Sequence, residues 1–319
     1  MRTLDDYRSP AGLIRIAQVD DLGDRSRLYR ELAAGNYRRI ARGVLVPESH
    51  WAQLDADARH RLFVVAIAER MPGDEVVAHL SAAALWRLPA VEPWPDRVQT
   101  LGPAVGGGRG STERVRRTGV PDAQAEAIEG VPVTSLARTV VDISRTESLD
   151  TALVVADAAL RRREHPVAGL PHLAPTRADL ERELARVPRF HGERRAERVI
   201  ALADGRAQLP GETLSRLTML RLGVPAPVLQ HRIVGASGLN YDLDFYWPGQ
   251  NIGGEFDGKA KYLDPRYRNG RTPEQVVYDE KVREDELRLE LDGFGRWDWG
   301  VARSPRLLEE RLRRIGLRW

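Results

Sequence analysis

Between residues 13 and 47 hydrophobic positions recur first at helical and then at strand spacing. The run Leu13-Ile14-Arg15-Ile16-Ala17 predicts a short helix, residues 21–24 break it, and residues 26–34 resume helical spacing with Leu28 and Leu32 four apart. Gly35-Asn36 ends that helix, since both residues tolerate left-handed backbone. Residues 37–46 are strand-like on either side of an Arg42-Gly43 turn. Short helices followed by a hairpin follow the plan of a winged helix-turn-helix, expected over residues 1–48.

Residues 49–165 mix the two periods. Helices are expected at 61–69, 81–86, 136–144 and 149–163, with a strand at 97–101 and a glycine-rich loop at 106–111. Val131-Pro132-Val133 leads into Thr134-Ser135, a helix N-cap signal. Residues 166–210 read as a helical linker region with helices at 177–187 and 192–203, after a proline-rich stretch at 163–175. The last segment, 211–319, alternates helix, hairpin, helix, strand and helix. The expected class is α/β (α+β): a winged helix, a mixed α/β middle domain and a third α/β domain.

Within that third domain one hairpin carries an unusual pattern. Tyr241, Leu243, Phe245 and Trp247 alternate with Asp242, Asp244 and Tyr246, and Pro248-Gly249-Gln250-Asn251 supplies a four-residue turn. Pairing Trp247 with Ile252 sets Asp244 opposite Glu255 and Asp242 opposite Asp257. All four carboxylates then share one face and the apolar residues the other. Like charges directly opposite are destabilising in a sheet. Either each acid is solvated, or a divalent cation such as Mg²⁺ or Mn²⁺ offsets the repulsion through hard oxygen ligands.

Composition narrows the classes. Hydrophobic residues are 42% and charged residues 30%, and no apolar run is long enough to span a bilayer, so no membrane partner is expected. The opening Met1-Arg2-Thr3-Leu4-Asp5-Asp6 lacks the apolar run of a signal peptide. Cysteine is absent, which excludes disulfides, cysteine–zinc sites and thiol nucleophiles. A cytoplasmic protein is expected. The net charge of +3 and sequence pI near 9.3 permit nucleic-acid binding. Arg25, Arg27, Arg30, Arg38, Arg39 and Arg42 cluster on the helix that precedes the hairpin of the first domain and on the hairpin itself, where arginine suits both guanine and phosphate. Tyr29 and Tyr37 could add phosphate hydrogen bonds. Of 49 basic residues three are lysine: Lys259, Lys261 and Lys281. Lysine, a compact charge of adjustable pKa, suits work beside a metal.

The blocks Gly211-Glu212-Thr213-Leu214-Ser215-Arg216, Asp242-Leu243-Asp244-Phe245 and Glu255-Phe256-Asp257-Gly258 resemble the PD-(D/E)XK nuclease superfamily, closest to very-short-patch-repair-type endonucleases. The resemblance implies a restriction-endonuclease-like fold over 211–319, with Glu212, Asp244 and Glu255 as Mg²⁺ or Mn²⁺ ligands, Asp257 beside them, and Lys259 or Lys261 as the catalytic cation. It departs from the pattern at Asp257, where the superfamily has lysine. Residues 37–45, Ala78-His79-Leu80-Ser81-Ala82-Ala83-Ala84-Leu85-Trp86-Arg87-Leu88-Pro89 and Val131-Pro132-Val133-Thr134-Ser135-Leu136-Ala137-Arg138-Thr139-Val140-Val141-Asp142 resemble the AbiEi antitoxin family. That resemblance implies a DNA-binding autoregulator of a toxin–antitoxin operon, with double-stranded DNA and a toxin encoded nearby as partners. His79, Arg138 and Asp142 within these blocks read as residues fixing helix packing. Two function classes stand side by side: a transcriptional regulator carrying a nuclease-fold module, or a Mg²⁺-dependent endonuclease targeted by its winged helix. Oligomeric state is not legible.

Overall fold

A computed structural model describes residues 3–103, 111–119, 122, 124–188, 191–258 and 272–319. The protein is α/β (α+β), with three β-sheets among those residues. It divides into two compact units: Met1–Val155 with Pro166–Leu202, and Ala156–His165 with Ala203–Trp319. Among the described residues no helix is long and apolar enough to cross a membrane.

The first unit opens with a 3-10 turn (Leu4–Tyr7), β1 (Ile14–Arg15), a second 3-10 turn (Ile16–Gln18), α1 (Leu22–Ala33), β2 (Tyr37–Ala41) and β3 (Val44–Pro47). Its sheet runs β1-β3-β2 and is antiparallel throughout. The run at 13–17, expected as helix, is strand and 3-10 turn instead. Five residues are too few to offset helix nucleation, and Ile14 and Arg15 pair with Leu45 and Val44. Asp21, expected to break the helix, caps it: its carboxylate accepts the Asp24 N–H, so α1 begins at Leu22. Leu28 and Tyr37 close a small core with Leu4, Ile14, Val19 and Leu45.

Next come α2 (Glu48–Gln53), α3 (Ala56–Ala68), β4 (Val76–Val77), α4 (His79–Leu85), β5 (Val98–Gly102), β6 (Arg114–Thr118), β7 (Glu126–Ile128), β8 (Val131–Val133) and α5 (Leu136–Thr146). The strands form a mixed sheet, β6-β5-β4-β8-β7, parallel at β5–β6 and β4–β8. Ser135 accepts the Arg138 N–H and so caps α5 where the sequence signals it. The expected glycine-rich loop lies, but for Ser111, outside the described residues. Then follow α6 (Leu149–Arg161), which enters the second unit at Ala156, α7 (Arg177–Arg186) and α8 (Glu193–Leu202).

The second unit contains α9 (Pro210–Arg221), β9 (Val228–Val234), β10 (Asn240–Trp247), β11 (Ile252–Phe256), α10 (Pro273–Glu290), β12 (Gly293–Trp297), α11 (Trp299–Ala302) and α12 (Pro305–Arg314). Its sheet order is β12-β11-β10-β9, with β11 and β12 parallel and the other pairs antiparallel. Trp247 does pair with Ile252, as the turn length requires, but the β10–β11 ladder stops at Phe245 and Gly254. Strand β9 has no counterpart in the expected element list. It flanks the other edge of β10 and pairs Arg232, not a residue of the hairpin, with Asp242.

The apolar residues of β10 do not share one face. Phe245 and Trp247 pack with Leu229, Phe256 and Trp297, whereas Leu243 packs with Leu287, Leu291 and Phe294, next to Tyr241 and Ile233. Both strands change faces at Gln230 and Asp244, where Gln230 adopts φ +50. A left-handed residue breaks the period of two. Regular alternation therefore does not set the four acids opposite one uniform apolar face, although all four line one cleft.

Candidate functional site

Asp242, Asp244, Glu255 and Asp257 line a polar cleft of about 310 Å³ in the second unit, together with Gln230 and Arg283. Glu212 reaches the same cluster from the first turn of α9. Its position depends on Gly211, because the Phe256 ring fills the space a Cβ there would need. It also depends on Asp157 of α6, whose carboxylate accepts from Thr213 Oγ1 at 2.8 Å, Arg216 at 2.7 Å and the Asp204 N–H at 2.7 Å. Burial pushes the Asp157 carboxyl up to about 6, against the pull of Arg216.

Glu212 is 3% exposed, and its Oε2 accepts the Gln208 N–H at 2.8 Å and a Gln230 amide N–H at 3.1 Å. The same Gln230 nitrogen donates to Asp244 Oδ1 at 3.1 Å. Asp244 Oδ2 accepts the Phe256 N–H at 2.8 Å, so a side chain takes the place of the next ladder bond between β10 and β11. Gln230 thus couples two of the expected acids. Glu255, 5% exposed, is held differently: Arg283 of α10 donates to Oε1 at 2.6 Å and to Oε2 at 3.2 Å. Arg296 of β12 lies 3.8 Å from Glu255, 3.5 Å from Asp257 and 3.6 Å from Glu280. Asp242 stands apart, half-exposed and bidentate with Arg232.

The expected acids are near one another, but a divalent cation does not fit them as they stand. Among the described residues no three His, Asp or Glu side chains are grouped so as to hold a metal ion. Both Glu255 oxygens bond to Arg283, and Asp244 is bonded through both of its own. Lys259 and Lys261 lie outside the described residues; Lys281 is exposed on α10. Gln230, Arg283 and Arg296 received no role from the sequence. The lone charge in Gly293-Phe294-Gly295-Arg296-Trp297 was the available signal for the last.

In the first unit the six arginines divide. Arg25 donates Nε and a terminal N–H to the Val19 carbonyl, at 3.1 and 2.6 Å, and staples the start of α1. Arg38 is bidentate with Glu48 at 2.8 and 2.9 Å, and its guanidinium lies 5.7 Å from the Trp51 ring centroid. Arg27, Arg30, Arg39 and Arg42 are exposed, with Tyr29 between the first two. The backbone of Arg42 is fixed on both sides: its N–H donates to Glu113 at 2.6 Å and its carbonyl accepts from Arg70 at 2.9 Å. Tyr37, expected to face phosphate, is in the core.

His79, Arg138 and Asp142 are all buried. Arg138 donates to Asp142 at 2.9 Å within α5. Burial, together with the charges of Arg117, Arg138 and Arg145, pushes His79 down to about 3. Burial also raises Asp142 against the pull of Arg138. His165 and His172 are exposed.

No family model matches the chain. Uncharacterized protein MT2308 of Mycobacterium tuberculosis (strain CDC 1551 / Oshkosh) is 30% identical over 143 residues, 45% of this chain and 49% of that protein. Uncharacterized protein Rv2248 of Mycobacterium tuberculosis (strain ATCC 25618 / H37Rv) is similar to the same extent. The chain spans about half the length of these curated relatives.

Proposed function

We propose that the protein is a DNA-binding transcriptional regulator of the AbiEi antitoxin type, acting in the cytoplasm on double-stranded DNA. In this reading α1 enters the major groove and the β2–β3 hairpin is the wing. The observation that carries it is the exposed set Arg27 and Arg30 on α1 and Arg39 on β2 of the hairpin, which has no ion pair among the described residues. The β1-β3-β2 sheet order supports a winged helix. The regulator's protein partner would be a toxin encoded beside it. The second unit, with a restriction-endonuclease-like fold in this reading, serves as a further binding module.

Gel-shift titrations over a range of salt test the proposal. Arg27→Ala, Arg30→Ala and Arg39→Ala should each lower the log–log salt slope by about 0.9 per lost phosphate contact. Arg38→Ala should leave the slope unchanged, because that guanidinium is committed to Glu48. An unaltered slope in the triple Arg27/Arg30/Arg39 variant would remove α1 and the hairpin from the interface. A second reading, endonuclease, rests on Glu212, Asp244 and Glu255 standing near one another, and it requires a cation to displace Gln230 and Arg283 from them. Cleavage of supercoiled or mismatched DNA with Mg²⁺ or Mn²⁺, lost in Asp244→Asn, would establish it.

A further inference from the structure

Acids gathered in one cleft need positive charge, and among the described residues two guanidinium groups, Arg283 and Arg296, line it. Arg283 is fixed from three directions: by both oxygens of Glu255, by the Asp242 carbonyl, which accepts from it at 3.0 Å, and by the Tyr241 ring, whose centroid is 5.8 Å away. Tyr241 is itself held, donating its hydroxyl to Glu286 at 3.0 Å on the same helix as Arg283. Arg296 is paired with Glu255 in the parallel β11–β12 register, so the backbone delivers it to that carboxylate. From there it reaches Asp257, Glu280 and, at 4.0 Å, Glu284.

We propose that Arg283, backed by Arg296, is the resident cation of this cleft, and that the cleft takes neither Mg²⁺ nor Mn²⁺. A divalent ion needs carboxylate oxygens free to approach to about 2.0–2.2 Å in near-octahedral order. It would have to displace a bidentate guanidinium from Glu255 to obtain them. Lysine could be neutralised by burial and give way; arginine stays protonated at every accessible pH. The carboxylates then act as the anchor that fixes α10 to the sheet. The inference does not use the α1 face and stands or falls apart from the DNA-binding proposal.

Mn²⁺ titration of the full chain, followed by the electron paramagnetic resonance signal of the free ion, tests it directly. Wild type and Asp244→Asn should give identical titrations, and Mg²⁺ should not raise the melting temperature of either. A Mn²⁺ ion bound by wild type and lost in Asp244→Asn overturns the proposal. Arg283→Gln should create a Mn²⁺ site absent from wild type; a folded Arg283→Gln protein that gains none also overturns it. Should that variant not fold, Glu255→Gln carries the test through the metal-free melt. If Arg283 is the counter-ion, Glu255→Gln strands a guanidinium and lowers the melting temperature by about 5 °C. The paired change Glu255→Gln/Arg283→Met should recover most of that loss. If the acids instead await a metal, Glu255→Gln relieves repulsion, and an unchanged or higher melting temperature sinks the idea.

Discussion

On the first unit's α1 and hairpin, Arg27, Arg30 and Arg39 stand exposed with no ion pair among the described residues, whereas Arg216, Arg232, Arg283 and Arg296 of the second unit each pair with a carboxylate. Buried acids explain much of the difference. Asp157, Glu212 and Glu255 are almost inaccessible, and a buried carboxylate is costly without a cation or strong hydrogen bonds beside it. Beneath α1 lies an apolar core, and while Arg25 turns to the Val19 carbonyl, no buried acid draws Arg27 and Arg30 inward. In an arginine-rich chain, then, the number of cations says little about where phosphate binds. The informative arginines are those that no buried acid has claimed.

The buried titratable groups separate the units in a second way. His60 stacks on Trp94 with centroids 5.0 Å apart, and burial pushes it down to about 4; His79 is pushed down to about 3. Both imidazoles have folded-state values below the unfolded value near 6.5, so the unfolded chain takes up protons first. The stability that these two imidazoles contribute is fully present above pH 6.5 and is withdrawn as pH falls through 4 and 3, while Asp142 of the same unit, raised by burial, acts in the opposite sense. At 1.36 kcal/mol per unit, each histidine accounts for roughly 3–5 kcal/mol. Hydrogen exchange corrected for intrinsic rates should show first-unit peptides losing protection between pH 6.5 and 4. Protection lost first in the second unit would break the comparison.

Asp157 should respond in the opposite sense. Its folded-state value, about 6, lies above the unfolded carboxyl value of 3.8, so the folded chain binds the proton first. The cost of burying its charge is present above pH 6 and is relieved as pH falls to 4, a gain on the order of 2–3 kcal/mol. Asp157→Asn, which copies the protonated group, should abolish this slope. Its advantage over the parent should be greatest at pH 7 and vanish near pH 4 in urea denaturation of the second unit's tryptophans. A parallel pH profile for the two proteins would show that Asp157 stays charged throughout.

Much of the second unit was legible because a short turn fixes register. Four residues between Trp247 and Ile252 leave one pairing, and the structure has it. The same reasoning misassigned faces, because no residue type marks a left-handed Gln230, and a strand pattern continued through it looks regular. Gln230, Arg283 and Arg296 act through contacts across 14 to 41 residues of chain, which local spacing does not encode. In the first unit, Leu13-Ile14-Arg15-Ile16-Ala17 fits either period over so few residues, and only pairing with β3 decides. Arg25, Arg38 and Tyr37 belong by composition to a basic, aromatic surface; a carbonyl, a carboxylate and a core have claimed them.

The smallest effect concerns how firmly Glu212 is held. At an ordinary site in the first turn of a helix, glycine to alanine is stabilising by about 0.5–1 kcal/mol. At Gly211 the sign should reverse, because the added methyl meets the Phe256 ring, which is locked between the sheet and α9. Overpacking of this kind costs about 1–3 kcal/mol, so Gly211→Ala should destabilise the protein by about 1–2 kcal/mol net. Since Phe256 also donates its N–H to Asp244, displacing the ring disturbs both ends of the Glu212–Gln230–Asp244 chain. Trimming the ring should relieve the clash: Gly211→Ala/Phe256→Leu should be less destabilised than the sum of its single changes. Strict additivity in denaturant melts would mean that the helix moves freely over Phe256, and that Glu212 is not fixed with the rigidity that separates this unit's buried acids from the open arginines of α1.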